Sequence, residues 1–406
     1  METSKSEPKK EEMEENKRKE PKKIQIEEEE QFVKLFDEVL QQNRGSLSDE
    51  AIADGVDIAI QNFRIAISGA CTKEKYDKPK MLCGFFHRYT SLFATVTRSK
   101  FFIALQKSEE LKYCFHRPTV KLVDIGSGPG SCLVGLFSAL ESCDETFNKE
   151  FGSLQYKSLE VTAVDYNEDW KNYFVDIVKK LMKGNFGNAS KLFSKKHIKC
   201  DFAPFDLLNR SNSKLKNEFT KILNEADIIL MKGFLSILEN NDYRHKTVEN
   251  IATAMKPGSL LVIIESPTYE VYFQKEGLRL VFTTRKFLSA SSESFNLNET
   301  SADSLQHSTS QNTNLTSLDS NMTTSFSSNP EDQGFISQNL GSESLTSDTE
   351  LQASDSESDH VWQNYNPDRE PDIIDKIYLS VPEVKKYGKG FSSNGSNQQL
   401  FVLVKK

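Results

Sequence analysis

The 406-residue sequence lacks any apolar run of about 18 residues, the length that a membrane-spanning helix requires. Cysteine is scarce, with six residues and no Cys-x-x-Cys pair, so we expect reduced thiols and neither a zinc nor an iron–sulfur site. The N-terminus is rich in acids and has no apolar core, unlike a secretory signal or a mitochondrial transit peptide. These absences predict a protein of the cytoplasm or nucleus with no membrane partner.

Lysine and arginine are absent from residues 287–368, which contain 13 acids among abundant serine, threonine, asparagine and glutamine. Such a stretch cannot bury enough apolar surface to offset its conformational entropy, and it predicts a long disordered insertion. Residues 1–30 combine 11 acids with 8 bases and predict a disordered charged tail. The remaining residues carry more bases than acids. That excess is open to two interpretations, attraction to a polyanion such as RNA and a surface charge without function.

Serine alternates with acids in the segment Ser354–Asp359 of the insertion. This pattern is typical of a target for an acid-directed kinase, which would then be a partner of the protein. It is equally typical of low-complexity sequence that only solvates the chain, and the pattern does not decide between the two.

The residues most informative about chemistry are Val123–Gly130, which read Val-Asp-Ile-Gly-Ser-Gly-Pro-Gly. They predict a buried strand, a glycine turn and the start of a helix. Asp124 would repel a phosphate, and no Lys-Ser/Thr pair follows, so a nucleoside triphosphate loop is disfavoured. The dinucleotide fingerprint also fits poorly, because Ser131 stands where it requires glycine and Leu133 where it requires glycine or alanine. We therefore expect a ligand that is cationic or neutral at this end.

This stretch resembles the first motif of the class I S-adenosylmethionine-dependent methyltransferases, acid-x-Gly-x-Gly-x-Gly, and fills all four defining positions. The resemblance implies an α/β fold with a Rossmann-like seven-stranded sheet, and S-adenosylmethionine as cofactor. In that family an acid after the second strand binds the ribose, and an acid after the third binds the adenine amino group beside an apolar residue. The implied cofactor-binding residues are Asp124, Gly126, Ser127, Gly128, Gly130, Asp165, Tyr166, Asp201, Phe202 and Lys232, with no metal ligand and no catalytic residue assigned.

The interval from Gly126 to Asp165 is 39 residues, whereas such folds usually place the acid about 20 residues on. A polar insertion in residues 142–158 accounts for the difference. If the strand before Asp165 were misplaced, the assignment of Asp165 as the residue that binds the ribose would be wrong.

The predicted domain plan is a tail in residues 1–30, a helical region in 31–118, five strands in 119–286, the insertion in 287–368 and two last strands in 369–406. The third strand is expected to stop at Asp201-Phe202, and Tyr269–Phe287 is expected to be a helix. The last two strands are assigned to Lys376–Val381 and Leu400–Val404.

The aromatic-rich stretch Met81–Val96 lies in the helical region. In many methyltransferases such N-terminal helices form a substrate lid, whereas apolar spacing by itself indicates core packing. Arg88 and Tyr89 are the candidates for reaching the cofactor end of the cleft.

Function follows from the resemblance, which implies an active methyltransferase whose acceptor is unknown, with RNA or protein slightly favoured. The alternative is a catalytically inactive scaffold that binds partners through its acidic insertion, and an oxidoreductase is disfavoured by the poor fingerprint.

The fourth strand ends in Met231-Lys232-Gly233-Phe234, so the Asn/Asp-Pro-Pro-aromatic motif of exocyclic base amine methylation is absent. Lys232 is interpreted as a partner of a substrate anion or cofactor carboxylate, or as a solvated strand-end residue. The loop also resembles that of mitochondrial small-ribosome-associated methyltransferase-like proteins, but their cysteine cluster is missing.

Overall fold

A computed structural model describes residues 27–67, 79–147, 154–207, 213–238, 240–275, 277–284, 381–387 and 398–406. The predicted disordered insertion, its serine and acid cluster, residues 376–380 of a predicted strand and residues 1–26 of the predicted tail lie outside these ranges. Within the described ranges no helix is both long and apolar enough to cross a membrane.

Seven strands form one sheet in the order β3-β2-β1-β4-β5-β7-β6. They are β1 Thr119–Ile125, β2 Ser158–Asp165, β3 His197–Pro204, β4 Ile228–Lys232, β5 Leu260–Glu265, β6 Leu278–Thr283 and β7 Gln399–Lys405. The strands from β3 to β5 are parallel, and β7 runs antiparallel between β5 and β6. This confirms the predicted α/β class with a Rossmann-like seven-stranded sheet. The strand order reverses beside β1 and β4, where folds of this kind bind ligands at the carboxyl edge.

Helices cover the sheet and explain the composition of its strands. They are α1 27–43, α2 Asp49–Ile67, α3 Pro79–Lys107, α4 Glu109–Cys114, α5 Ser131–Phe147, α6 Trp170–Met182, α7 Gly187–Lys195, α8 Ser213–Glu225 and α9 Asn241–Ala254, with 3₁₀ turns at Leu235–Ile237, Pro267–Tyr272 and Pro382–Lys385. Strands β4 and β5 are buried at every position. Because both faces are covered, they read as continuous apolar runs without alternation.

Helix α3 is buried around most of its circumference, so it is an inner helix that packs against both α2 and α5. Glycines permit both crossings. A Cβ atom added to Gly84 of α3 would overlap the backbone of Gly55 in α2, and one added to Gly135 of α5 would overlap the backbone of Ala94 in α3. The helix backbones therefore touch directly at these two points.

The segment after β5 differs from the sequence prediction. Residues 269–287 were expected to be a helix, but they contain the end of a 3₁₀ turn and the strand β6. A short apolar run such as Leu278–Thr283 cannot be assigned by periodicity alone. β6 occupies the place beside β7 that was assigned to Lys376–Val381. The predicted insertion therefore follows β6 and not β5.

The folded part also begins earlier than predicted, because α1 starts at residue 27. The carboxylate of Glu28 is buried and accepts hydrogen bonds from Ser138 Oγ at 2.6 Å and from Asn188 N at 3.0 Å. A carboxylate is stabilised at the N-terminus of a helix, here α7. The charge-rich composition of residues 27–30 concealed this buried contact.

Candidate cofactor site

The loop between β1 and α5 has the tight geometry that its glycines predict. Gly126, Gly128 and Gly130 have φ values of 67°, 52° and 86°, in the left-handed region that favours glycine. The backbone N–H groups of Gly126 and Ser127 both donate to Val164 O, at 2.8 and 3.1 Å. The loop is therefore fixed to the end of β2.

The three glycines differ in what they face. A Cβ added to Gly126 would lie 2.5 Å from a ring carbon of Phe234, and one added to Gly130 would lie 2.7 Å from a ring carbon of Phe174. A Cβ on Gly128 would have no atom within 4 Å. Gly126 and Gly130 therefore serve protein packing, whereas the backbone at Gly128 borders open space in which a ligand fits. Sequence reasoning identified the glycines but not the two phenylalanines.

Two buried charged side chains lie at the ends of β1 and β4. Asp124 is 1 % exposed, and its Oδ2 atom has no hydrogen-bond partner in the part of the chain that the structure describes. Burial, and then the nearby Asp165, raise the pKa of Asp124 well above its usual value. The Lys232 side chain is 7 % exposed, which rules out the interpretation of a solvated strand-end residue. Its Nζ lies 3.5 Å from the centroid of the Phe93 ring, and burial lowers its pKa.

Asp165 ends β2, where the family resemblance requires an acid. Its Oδ2 accepts a hydrogen bond from Gly128 N at 2.8 Å, and its Oδ1 accepts one from Asn167 N at 3.0 Å. Each carboxylate oxygen can accept a further hydrogen bond, so the group can hold the glycine loop and also receive hydroxyl donors. Burial raises its pKa to about 6, although these backbone N–H groups lower it. Tyr166, the next residue, is 40 % exposed and lies at the same edge.

This pKa predicts opposite effects of pH on ligand affinity and on stability. Below pH 6 Asp165 becomes protonated and accepts fewer hydrogen bonds, so affinity for S-adenosylhomocysteine should fall as the pH decreases through about 6. The unliganded fold should gain stability from this group over the same range, because the native state binds the proton more tightly than the unfolded state. Calorimetric titrations and thermal melts between pH 5 and 8 check both. Asp165→Asn should remove the change in affinity and reduce the change in stability, to which buried Glu265, with a pKa raised by burial to about 7, also contributes. An affinity that stays constant across this range would contradict the assignment.

Asp201 and Phe202 do not lie where the sequence placed them. β3 continues to Pro204, so both residues are inside the strand. The Asp201 carboxylate is mostly exposed and forms an ion pair with Lys199 at 2.9 Å. Phe202 packs against Phe174, with ring centroids 5.8 Å apart. The prediction that Asp201 ends the strand is wrong, because on this edge strand the polar residues alternate with partly buried ones and extend the strand beyond the first acid.

The acid that does follow the end of β3 is Asp206. Phe205 N donates to Asp165 O at 2.9 Å, which places the pair Phe205-Asp206 beside the end of β2. The sequence shows an aromatic residue and an acid here as well as at 201–202. Had the predicted strand extended to Pro204, the sequence would have pointed to Phe205 and Asp206 instead.

Aromatic side chains of α3 form a row next to the loop. Ring centroids of Phe85 and Tyr89 lie 4.9 Å apart and those of Tyr89 and Phe93 5.7 Å apart, while Trp170 lies 5.8 Å from Phe85. Through Phe93 the row reaches Lys232. The α3 aromatics are therefore part of the core and also form a wall of the site, so the two interpretations of this helix are compatible.

Two charged residues that the sequence did not single out hold the segment after β4. Buried Glu265 accepts hydrogen bonds from Leu235 N at 2.9 Å and Ser236 N at 3.3 Å. Arg244 of α9 donates to Leu235 O at 3.0 Å and to Leu238 O at 2.9 Å. The backbone that follows Phe234 is thereby fixed on both its N–H and its C=O groups. Among the described residues, no cluster of three or more histidine, cysteine, aspartate or glutamate side chains could hold a metal ion.

Residues 87–287 match a family model described as "Putative SAM-dependent methyltransferase". No curated protein sequence gives a significant match. The match begins within α3 and ends beyond β6, so it includes the glycine loop and the side chains of the site named above, except Phe85. It agrees with the predicted methyltransferase superfamily.

Solved structures with similarity to this chain include three bacterial and archaeal methyltransferases. An O-methyltransferase family protein from Burkholderia thailandensis is 13% identical to this chain. The match covers 53% of this chain and 53% of that chain, with a TM-score of 0.31. A SAM-dependent methyltransferase from Methanosarcina mazei is 16% identical over 42% of this chain and 69% of that chain, with a TM-score of 0.26. The N-methyltransferase NodS from Bradyrhizobium japonicum in complex with S-adenosylhomocysteine is 15% identical over 44% of this chain and 81% of that chain, with a TM-score of 0.26. The chain thus spans about half the length of the first of these structures.

Proposed function

We propose that this chain, a class I S-adenosylmethionine-dependent methyltransferase by its family match, transfers methyl groups to RNA. The observation that carries the methyltransferase function is the open backbone at Gly128, together with Asp165 and with Asp124, whose Oδ2 has no hydrogen-bond partner among the described residues. The choice of RNA is supported by two features of lesser weight, the excess of bases outside the two acidic segments and the side chains at the carboxyl edge beyond β4 and β5.

Those side chains surround Arg244, whose guanidinium carbon lies 5.3 Å from the Tyr269 ring centroid. Ile237, Tyr243 and Val271, which lie on the turns and helix that Arg244 joins, are exposed. Aromatic faces and exposed apolar groups bind unstacked bases, and RNA is recognised mainly through such bases. This surface is next to Phe234, so an acceptor held there would be near the cofactor site.

The residues present fit the cofactor at each of its ends. In the proposed arrangement Asp165 accepts hydrogen bonds from the ribose hydroxyls, and Asp124 pairs with the ammonium group of the methionine part. Lys232 interacts electrostatically with Asp124, since each shifts the pKa of the other, and it would pair with the methionine carboxylate. Asp206 accepts a hydrogen bond from the adenine amino group, the role that the sequence analysis assigned to Asp201. A zwitterion would thus supply partners for two buried charges, which is favourable because unpaired buried charges are costly.

Methyl transfer requires alignment and exclusion of water more than a dedicated base. When bound, S-adenosylmethionine supplies a methyl group that its sulfonium charge already activates. The chain's contribution is a fixed loop at Gly128, a fixed segment after Phe234 and an aromatic wall from α3. Holding an acceptor in line within such a dry site accounts for rate enhancement without proton transfer by a side chain.

Replacing Asp206 by alanine should weaken binding of S-adenosylhomocysteine about tenfold to a hundredfold, the range for losing a hydrogen bond to a charged group. Asp201→Ala, which removes an exposed ion-paired acid three residues before the end of β3, should leave affinity unchanged. Isothermal titration of both variants measures the difference. The reverse ranking would restore Asp201 to the site and contradict the strand assignment.

The function itself is tested by incubating the purified protein with methyl-labelled S-adenosylmethionine and, separately, total cellular RNA or total cellular protein. Label that enters RNA and is released by ribonuclease supports the proposal, with Gly128→Val as the inactive control. Label that enters only protein would keep the methyltransferase and overturn the acceptor. Tight cofactor binding without transfer to either would favour the scaffold alternative, which no feature of the described residues supports at present.

A further inference from the structure

Asn167, the second residue after β2, is buried with 7 % of its surface exposed. Three of its polar groups have partners. Its backbone N donates to Asp165 Oδ1 at 3.0 Å, its side-chain Oδ1 accepts from Asp169 N at 3.0 Å, and its backbone O accepts from Trp170 N at 3.3 Å. The fourth group, the side-chain Nδ2, has no hydrogen-bond partner among the residues that the structure describes.

The orientation of this amide follows from its neighbours. Exchanging the oxygen and nitrogen atoms would set the NH₂ group against the N–H of Asp169, two donors facing each other, so Oδ1 must face Asp169. A buried N–H without an acceptor is unfavourable, so this group calls for a partner beyond the described residues, such as a water, an ion or a ligand. The unpaired donor is thus a fixed feature of the loop between β2 and α6.

The location of Asn167 limits what its partner can be. Its backbone is bonded to the carboxylate that also holds Gly128, and Tyr166 beside it is 40 % exposed, so the sheet edge is open to solvent at this point. The other acids and bases of the site, Asp124 and Lys232, lie at the ends of β1 and β4 and not on this loop. A donor placed beside Asp165 is suited to the uncharged half of the cofactor.

We propose that Asn167 is a further cofactor-binding residue, whose Nδ2–H donates a hydrogen bond to an acceptor atom of the adenosine moiety, a ribose oxygen or a ring nitrogen. This rests on the proposed function, because it requires the same cofactor. The competing role is purely structural, since Oδ1 also satisfies a backbone N–H at the start of α6. The two roles use different atoms of one side chain, and substitutions can separate them.

The probes are S-adenosylhomocysteine and 5′-methylthioadenosine, an uncharged compound that keeps only the adenosine half. Asn167→Asp preserves the oxygen that faces Asp169 and removes the donor, whereas Asn167→Ala removes both. Asn240→Asp is the matched control, because Asn240 Oδ1 also accepts a backbone N–H at the start of a helix, that of Tyr243 in α9 at 2.9 Å, and Asn240 is exposed and outside the loop after β2. Calorimetry gives each affinity, and thermal melts report folding.

Both Asn167 variants should bind both probes about fivefold to twentyfold more weakly than the wild-type protein. Asn167→Asp should keep the wild-type melting temperature, and Asn240→Asp should change neither affinity. Since 5′-methylthioadenosine is uncharged, its weakened binding cannot be attributed to the new carboxylate acting on the methionine half. Wild-type affinity of Asn167→Asp for both probes would overturn the proposal and leave Asn167 with a purely structural role in the turn before α6.

A double-mutant cycle covers the case in which a variant folds poorly. The 2′-deoxy, 3′-deoxy and 3-deaza analogues of 5′-methylthioadenosine each lack a single acceptor. The wild-type protein should bind one of them more weakly than 5′-methylthioadenosine, whereas the Asn167→Ala protein should show no further loss of affinity for that analogue. Equal losses in both proteins for every analogue would overturn the proposal. Failure of the wild-type protein to bind either probe would instead refute the cofactor site itself, a result distinct from a failure confined to Asn167.

Discussion

Replacing Gly128 by valine should abolish detectable binding of S-adenosylmethionine, with an affinity loss of more than about a hundredfold, and should leave the protein folded. Gly128 has a φ of 52° and open space where a Cβ would lie. A branched side chain would fill the volume in which the ligand meets the backbone. It would also disfavour the positive φ that presents Gly128 N to Asp165. Calorimetry with S-adenosylhomocysteine is the direct measurement.

Gly184→Val provides the matched control for backbone strain. Gly184 also has a positive φ, 85°, and also has no atom within 4 Å of an added Cβ, but it lies between α6 and α7. Both variants should therefore lose a similar amount of stability, about 1 to 2 kcal/mol for a left-handed residue that is not glycine. Only Gly128→Val should lose the ligand. Undiminished affinity in Gly128→Val, or an equal loss in Gly184→Val, would place the ligand elsewhere.

Replacing Gly84 by alanine should destabilise the protein strongly, although the same change in an ordinary helix stabilises it by about 1 kcal/mol. An added methyl group would overlap backbone atoms of Gly55 and Val56, so α2 and α3 would have to separate. Backbone atoms cannot move aside as a flexible side chain can. We expect a loss on the order of 3 kcal/mol, corresponding to a melting temperature lower by roughly 6 to 12 °C.

Urea unfolding of Gly84→Ala measures this loss, and Asp54→Ala on the exposed side of α2 is the control. That control changes helix propensity beside the crossing without adding an atom to it, so it should be neutral or slightly stabilising. A Gly84→Ala protein as stable as the wild type would show that α2 and α3 do not pack backbone against backbone.

The parts of the site that could be predicted from sequence are local in the chain. Gly126, Gly128 and Gly130 follow an apolar run within a few residues, and their spacing specifies one turn. Asp165 was placed correctly at the end of β2 in spite of the long interval before it, because the strand itself is a clear apolar segment. Where the local signal was ambiguous, as at Asp201, the strand was predicted to end before its actual end at Pro204.

Contacts between distant segments could not be predicted from one sequence. The bonds from Glu265 and Arg244 to the backbone after Phe234 join three elements, and nothing in the local pattern distinguishes these residues from other charged side chains. Glu28 shows the same limitation, since a run of four glutamates is usually solvated and here contains a buried helix partner. Burial of a charge is a property of the assembled fold and not of the segment.

The position of β7 has a consequence for how the protein is made. β7 is an inner strand, hydrogen-bonded to β5 and β6 on its two sides, yet 115 residues separate it from β6 in the chain. At a synthesis rate of about 5 to 20 residues per second, roughly 6 to 23 s pass between the emergence of β6 and that of β7. During this interval the apolar edge of β5 has no partner strand, and such an edge is prone to pair with other chains. The nascent protein therefore exposes an edge prone to aggregation until translation supplies the strand that completes the sheet.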